Sequence, residues 1–243
     1  MYTEKPLIFG HRGASADAPQ NTLPAFELAL AQDADGIELD VHRTKDGELV
    51  IVHDFEVDGT TDGTGTVTEM TVAEIKELDA GNYFDARFTG TPVPTLSEVF
   101  EALGKKLYVN VEIKSQSPQT DGVEQAVADC IVRHGMAERV IVSSFNPLTL
   151  KRFRPLMPDV PVAYLDSPEI PDMVRELVRD FPHELQHPHT EMVDAAYVQA
   201  ARNAGRRINV WTANDMPRAV ELVKLGVDGL VTDLPGAMRA ALS

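Results

Sequence analysis

Basic residues are scarce in this sequence. Its 243 residues include 22 Lys and Arg against 38 Asp and Glu, which gives a net charge of −16. This balance argues against nucleic acid or an anionic membrane surface as the main partner, because both are negatively charged. An anionic substrate would need a local group of positive side chains to overcome the overall field.

Cysteine is almost absent. The single Cys130 excludes an intrachain disulfide, so the fold does not depend on an oxidising compartment. Cys130 lies in the helical pattern GVEQAVADCIVRHG, and we interpret it as a small core residue and not as a nucleophile. The segment HELQHPHTEM contains His183, His187 and His189, but its spacing favours a strand end and loop over a zinc site.

Long apolar runs are also missing. No run reaches the roughly 18 residues that a membrane-spanning helix needs. The N-terminal segment MYTEKPLIFGHRG lacks the basic and apolar regions of a signal peptide. We therefore expect a cytoplasmic protein without stable membrane insertion. The sequence carries no pattern that indicates an oligomeric state.

Short β-rich runs alternate with amphipathic helical runs along almost the whole chain. The predicted strands are Leu7–Gly10, Gly36–Asp40, Leu107–Lys114, Val140–Phe145, Val160–Leu165, Glu184–His187, Arg207–Thr212 and Gly229–Thr232. Helical patterns follow most of them, at Leu23–Gln32, Asp121–His134, Pro171–Arg179, Asp194–Asn203 and Met216–Leu225. This alternation predicts an α/β fold, a (β/α)8 TIM barrel, as a single domain over residues 1–243. An open doubly wound sheet is the alternative, but it usually begins with a Gly-rich phosphate loop, which is missing here.

One segment interrupts the alternation. Residues 55–94 are rich in Gly and Thr and lie between the second and third predicted strands. Loops at the carboxyl end of a barrel commonly shape the active site. We expect this segment to be a small insertion over the active-site face.

Two acidic residues lie inside the apolar run GIELDV, where burying charge is costly. Side chains alternate along a strand, so Glu38 and Asp40 share one face and are expected to project into the mouth of the barrel. The following Asp46-Gly47 predicts a two-residue hairpin turn. That register places His53 opposite Asp40, with their Cβ atoms roughly 5 Å apart.

The predicted third strand, LYVNVEIKS, repeats the pattern and brings Glu112 and Lys114 to the same region. Glu112 would join Glu38 and Asp40, and three carboxylates so close together predict a bound cation. An all-oxygen ligand set favours one divalent cation, Ca²⁺ or Mg²⁺, with Mn²⁺ as a further candidate. The alternative is that the acids only pair with nearby cationic side chains, namely Lys114, Arg12 and Arg43.

The first predicted strand ends in FGHRGA, which places His11 and Arg12 at the same rim. Arginine binds phosphate through a planar pair of donors, and histidine suits proton transfer near neutral pH. Together with His53, Lys114 and the cation, these residues predict a site that acts on a phosphate ester.

Six segments in order cover nearly the whole chain and resemble the glycerophosphodiester phosphodiesterase family. They are HRGASADAPQNTLPAFELAL, DGIELDVHRTKDGELVIVHD, VPTLSEVF, VNVEIK, INVWTAND and GVDGLVTDLP, and EIKELDAGNYF resembles the insertion of that family. The resemblance implies a barrel enzyme that hydrolyses glycerophosphodiesters, small molecules such as glycerophosphocholine or glycerophosphoethanolamine. Its products would be sn-glycerol 3-phosphate and an alcohol.

The resemblance also implies roles for individual residues. Glu38, Asp40 and Glu112 match the family's metal ligands, His11 and His53 match its acid–base pair, and Arg12 and Lys114 match its phosphate contacts. Trp211 matches an aromatic residue near the substrate, with core packing as the alternative.

One position departs from the family pattern. The family usually has PENT where this chain has PQNT, so Gln20 replaces a glutamate and a negative charge near Arg12 is lost. Two other functions stay open. One is a phospholipase D-like activity on lysophospholipids, which would need an apolar groove. The other is binding of glycerophosphodiesters without turnover, in which Gln20 would mark the lost activity.

Overall fold

The computed structural model describes residues 5–243. Residues 1–4, the start of the segment in which no signal peptide is recognised, lie outside the described residues. The strands are β1 (Leu7–His11), β2 (Gly36–Arg43), β3 (Leu49–Ile51), β4 (Tyr108–Ile113), β5 (Val140–Ser144), β6 (Val162–Asp166), β7 (Leu185–Pro188), β8 (Arg207–Val210) and β9 (Gly229–Thr232). The helices are α1 (Leu23–Ala31), α2 (Val72–Lys76), α3 (Leu96–Leu103), α4 (Val123–His134), α5 (Pro147–Phe153), α6 (Asp172–Arg179), α7 (Ala195–Asn203), α8 (Met216–Leu225) and α9 (Pro235–Ala241).

Eight parallel strands form a closed barrel, which confirms the predicted fold. The strands follow one another in the order β1, β2, β4, β5, β6, β7, β8 and β9, and the pairing of β1 with both β2 and β9 closes the ring. Strand β3 pairs antiparallel with β2 and lies outside the ring. The carboxyl ends of all eight barrel strands therefore meet at one face, where barrel enzymes carry their active sites.

Alternation along the strands separates two apolar regions. Outward-facing residues such as Ile37, Leu39 and Val109 pack with helix residues in the main core. The alternate positions carry a smaller buried cluster within the ring, formed by Leu7, Phe9, Ile141, Ala163, Leu185 and Val231. Glu38 and Asp40 belong to this second set, so the strand pattern directs both acids into the barrel.

The predicted register of the β2–β3 hairpin is wrong by one residue. Val41 pairs with Ile51 and His42 with Val50, so His53 does not lie opposite Asp40. The hydrogen bond from Thr44 N to Glu48 O, at 2.9 Å, encloses a turn of three residues, 45–47. The last of them, Gly47, adopts φ +96°, which favours glycine. His53 instead lies in the loop that follows β3.

The insertion, residues 55–94, has a small apolar core of its own. Its buried side chains pack against the β2–β3 hairpin in a cluster of Val50, Val52, Val57, Val67, Ile75, Ala80 and Val93. The Asp79 carboxylate fixes the following loop by accepting hydrogen bonds from the backbone N–H groups of Gly81, Asn82 and Gly90. The loop thus has a defined shape despite its Gly-rich sequence.

Helices α1, α4 and α8 begin or end at residues that commonly cap helices. Thr22 caps the start of α1, and Gly135 and Gly226 end α4 and α8 in the left-handed conformation that favours glycine. Cys130 is buried in the main core, on α4. Within residues 5–243, every helix is too short or too polar to cross a lipid bilayer.

Candidate active site

A cavity of about 150 Å³ opens at the carboxyl ends of the barrel strands. Six of the eight predicted site residues line it: His11, Arg12, Glu38, His53, Glu112 and Trp211. The other two adjoin it through ion pairs with lining residues, Asp40 with Arg12 and Lys114 with Glu112, and Lys114 Nζ also lies 3.3 Å from Asp40 Oδ1. The structure therefore brings all eight predicted residues together.

Glu38, Asp40 and Glu112 form a compact buried triad. Each offers a carboxylate oxygen, and these atoms lie within 4.8 Å of one another. Lys114 Nζ is 2.9 Å from Glu112 Oε1, and Arg12 Nε is 3.3 Å from Asp40 Oδ2. Of the three cationic side chains in the alternative to metal binding, Lys114 and Arg12 pair with the acids, whereas Arg43 donates to the carbonyl of Asp121. Two cations therefore face three carboxylates.

Burial and the neighbouring charges shift the pKa values of all three carboxyl groups. Burial raises the pKa of Glu38 well above its usual value, and the charges of Asp40 and Glu112 raise it further. Burial also raises the pKa of Glu112, to about 7. Burial opposes ionisation of Asp40 too, but the charges of Lys114 and Arg12 outweigh it and hold that pKa well below its usual range. Three buried oxygen donors with excess negative charge suit a divalent cation.

His11 is oriented by a carboxylate from the far end of the chain. Its Nδ1 donates to Asp233 Oδ1 at 2.6 Å, which leaves Nε2 without the proton in the neutral ring. Asp233 also accepts from Ser15 Oγ and Asn214 Nδ2. Burial opposes ionisation of Asp233, but the hydrogen bond and charge of His11 outweigh this effect and lower its pKa.

His53, which lines the same cavity, has a similar arrangement. Its Nδ1 donates to Asp54 Oδ1 at 2.7 Å, so both histidines have one nitrogen held by a carboxylate. Burial lowers the pKa of His53, although the charge of Asp40 acts in the opposite direction. This lowering favours the neutral ring, the form in which imidazole can accept a proton.

Arg12 is held in place from three directions. Its backbone N–H donates to Glu38 Oε2 at 3.1 Å, and its guanidinium contacts Asp40. A second guanidinium nitrogen, Nη1, donates to Gln20 Oε1 at 2.5 Å. Gln20 thus contacts Arg12 as a neutral acceptor, at the position where the family usually has glutamate.

The cavity has an apolar side opposite the acids. Trp211 lies there with Phe145, Leu165 and Val231, and its ring meets Phe145 edge to face at 5.4 Å. Trp211 Nε1 donates to the carbonyl of His187 at 2.8 Å. The indole is partly exposed to the cavity, so it combines packing with a position from which it can contact a ligand.

Several residues of the site were missed by the sequence interpretation. Asp233, Asp54 and Asn21 act through their partners, and Asn21 Nδ2 donates to Asp40 Oδ2 at 2.8 Å. Asn21 and Asp233 do lie within the motifs PQNT and VTDLP, which was the available signal. His187 was assigned to a strand end, and the structure places it in β7 with its ring lining the cavity.

Comparisons with known proteins agree with this geometry. The profile of the glycerophosphoryl diester phosphodiesterase family matches residues 11–237. A glycerophosphodiester phosphodiesterase of Caldanaerobacter subterraneus subsp. tengcongensis is 39% identical over 232 residues, with 95% of each chain covered. A glycerophosphodiester phosphodiesterase of Bacillus altitudinis is 36% identical, with 94% of each chain covered.

Solved structures share the fold over almost the whole chain. A phosphodiesterase of Oleispira antarctica, solved in complex with the product sn-glycerol-3-phosphate, has a TM-score of 0.85 at 30% identity and covers 98% of this chain and 96% of its own. A glycerophosphodiester phosphodiesterase of Agrobacterium tumefaciens has a TM-score of 0.81 at 33% identity, covering 97% and 99%. This chain belongs to the glycerophosphoryl diester phosphodiesterase family.

Proposed function

We propose that this barrel hydrolyses glycerophosphodiesters to sn-glycerol 3-phosphate and a free alcohol, and that the reaction requires a divalent cation. The main observation is that two carboxylate-bound histidines, His11 and His53, line one cavity with buried acids and Arg12. The relative from Oleispira antarctica, solved with sn-glycerol-3-phosphate bound, supports sn-glycerol 3-phosphate as one of the two products.

Glu38, Asp40 and Glu112 would hold the cation. When bound, it would stabilise negative charge on the phosphate oxygens. The all-carboxylate set favours Ca²⁺ or Mg²⁺, with Mn²⁺ as a further candidate. The raised pKa of Glu38 and of Glu112 supports this assignment, because burial leaves both carboxylates poorly stabilised as anions and a bound cation would stabilise them.

The remaining residues bind the phosphate and transfer protons in this proposal. Arg12 and Lys114 attract the phosphate oxygens. One histidine accepts the proton of the attacking hydroxyl, from water or the glycerol 2-hydroxyl, as the new P–O bond forms. The other donates a proton to the departing alcohol oxygen as the old P–O bond breaks. On the 2-hydroxyl route this step gives a cyclic phosphate, which a water molecule must then open to give glycerol 3-phosphate. Trp211 packs on the glycerol fragment in this proposal.

The insertion, residues 55–94, forms part of the active-site face in the same proposal, within one barrel domain. Tyr83 supports this placement, because its hydroxyl accepts a hydrogen bond from the backbone N–H of Gln20 at 3.2 Å. Gln20 in turn contacts Arg12, so the insertion connects to the phosphate-binding residues through two hydrogen bonds.

The test is release of glycerol 3-phosphate from a panel of glycerophosphodiesters, with EDTA and with added Ca²⁺, Mg²⁺ or Mn²⁺. We expect release with at least one cation and none with EDTA. A trapped cyclic phosphate would identify attack by the glycerol 2-hydroxyl.

Two results would contradict the proposal. Choline release from lysophosphatidylcholine alone would indicate the lysophospholipid activity. Binding without turnover, measured with folded protein and every cation, would indicate a binding protein, and Gln20→Glu would then be the next variant. The predicted cytoplasmic location is tested separately by fractionating cells that express the protein.

A further inference from the structure

His53 is held in the site differently from the acids. Glu38, Asp40 and Glu112 lie within β2 and β4, and the hydrogen bonds between these paired strands fix their positions. His53 lies in a loop, two residues beyond the end of β3. The place of its ring in the cavity wall therefore depends on contacts between this loop and the barrel.

The carboxylate bound to His53 does not supply such a contact. Asp54 is the next residue of the same loop, so its hydrogen bond sets the orientation of the ring but not the position of the loop. The Asp54 side chain is 57% exposed, so burial does not anchor it either. The anchor for His53 must come from outside the loop.

His42 on β2 reaches this loop from the barrel. Its side chain is buried, and Nε2 donates to the carbonyl oxygen of His53 at 3.4 Å. Its ring also meets the ring of Phe55 edge to face, with the centroids 4.8 Å apart. Burial lowers the pKa of His42 to about 4, so the ring is neutral near pH 7 and keeps one N–H for this bond.

A backbone contact joins the same two segments. The N–H of Val52 donates to the carbonyl of Asp40 at 3.1 Å, which ties the residue before His53 to β2. This bond forms whatever side chains are present. The contacts of His42 with His53 and Phe55 depend on one side chain, so a substitution can remove them and leave the backbone contact in place.

We infer that His42 is a positioning residue, which holds the loop so that the ring of His53 lies where it can transfer a proton to or from the substrate. His42 lies behind the cavity wall and not in its lining, so it acts through His53. This inference rests on the proposed hydrolysis, in which His53 transfers a proton.

The first test compares His42→Leu with the matched variant His42→Gln. Leucine fills the buried position but removes the donor, whereas glutamine keeps an N–H group that can reach the same carbonyl. A displacement of about 1 Å can cost on the order of 10²-fold in rate, so we expect kcat for glycerol 3-phosphate release to fall about 10- to 100-fold in His42→Leu. KM should stay almost unchanged, and His42→Gln should keep most of the wild-type kcat. His42→Met, whose unbranched chain adapts to irregular gaps, replaces His42→Leu if that protein does not fold.

A double variant tests whether His42 acts through His53. In a protein that already carries His53→Ala, His42→Leu should lower kcat little further, because the ring that it positions is gone. An effect of His42 on the acids would instead lower kcat by a similar factor in both backgrounds. It would also reduce the rise in Tm on cation binding, which should be the same in His42→Leu as in the wild type.

Three results would overturn the inference: near-normal kcat in His42→Leu, equal losses in His42→Leu and His42→Gln, or an undiminished effect of His42→Leu in the His53→Ala background. A reduced Tm shift would assign the effect to the acids and overturn it as well. Absence of glycerol 3-phosphate release by the wild type, from any diester with any cation, would refute the proposed hydrolysis itself. The two kinds of failure are therefore distinguishable.

Discussion

At the scale of single residues, His11 and His53 are the groups best placed to transfer protons. Replacing His53 with alanine removes one of the two and leaves a ring-sized gap at a position that is one-third exposed. We expect kcat for glycerol 3-phosphate release to fall about 10²- to 10⁴-fold with the circular dichroism spectrum unchanged. The same holds for His11→Ala.

The matched control for these variants is His134→Ala. His134 is the last residue of α4 and shares a hydrogen bond with Ser97 Oγ. It lies toward the amino ends of the barrel strands, at the end of the barrel opposite the active-site face. Its replacement should leave kcat and KM unchanged. Near-normal turnover in His53→Ala would contradict the assigned role.

His187 provides a prediction about pH and stability. Burial lowers its pKa to about 3 in the folded protein, whereas an unfolded histidine has a pKa of about 6.5. Between these values the unfolded chain binds a proton that the folded chain does not, so the free energy of unfolding falls as the pH falls. We expect His187→Gln to flatten this dependence by about 1.4 kcal/mol per pH unit.

Urea unfolding of both proteins at several values from roughly pH 6.5 to roughly pH 4 measures the two slopes. A wild-type slope equal to that of His187→Gln would show that the ring is already protonated or exposed. His42, whose pKa burial lowers to about 4, contributes in the same direction in both proteins and cancels in the difference.

The clustering of the eight predicted site residues could be anticipated from sequence because most lie on strands or directly after them. A strand fixes the direction of Glu38, Asp40 and Glu112 through simple alternation. The partners of these residues follow no such local rule. Asp233 reaches His11 only because β9 neighbours β1 in the closed ring.

At the scale of elements, the β2–β3 hairpin shows what a local pattern leaves open. Asp-Gly predicted a hairpin, and a hairpin is present, but its turn contains one more residue than expected. The Asp46 carboxylate accepts hydrogen bonds from Thr44 Oγ1 and Val72 N, and this second contact comes from the insertion. The turn length therefore depends on a segment 26 residues away in sequence.

Helix α3 begins with a capping box that also joins the insertion to the barrel. Thr95 Oγ1 accepts from Glu98 N, Glu98 Oε2 accepts from Thr95 N, and Lys76 of α2 pairs with the same carboxylate. We expect Thr95→Ala to lower the free energy of unfolding by about 1 kcal/mol, because the cap is lost. Urea unfolding measures this change, and Thr95→Ser, which keeps the hydroxyl, should retain most of the stability. Equal losses in both variants would contradict a capping role.

At the scale of the whole molecule, the alternation of strands and helices was enough to predict the barrel. The same scale gives a physical reason for the proposed cation. The chain carries a net charge of −16, and Arg12 and Lys114 are already paired with acids of the triad. Attraction of an anionic diester therefore needs additional positive charge at this point.

A cation that binds only the folded protein should raise its thermal stability. At a concentration a hundredfold above Kd, binding adds about 2.7 kcal/mol. For a chain of this length we expect a rise in Tm of about 5–10 °C over the EDTA-treated protein. Scanning calorimetry measures the shift for each cation.

The shift should disappear in Glu38→Gln and persist in Asp129→Asn, which changes an exposed carboxylate on α4. An undiminished shift in Glu38→Gln would place the cation elsewhere on the molecule.

The bond between His11 and Asp233 joins residues 222 positions apart, at the ends of the two strands that close the ring. During synthesis, His53 and its partner Asp54 are made together and early. The partner of His11, Asp233, is made only after the last barrel strand. Until β9 is made, a chain on the ribosome thus contains the three acids of the triad and His53 but lacks Asp233, which orients His11. In the proposed mechanism, activity therefore requires a closed barrel, and a chain that lacks β9 should release no glycerol 3-phosphate.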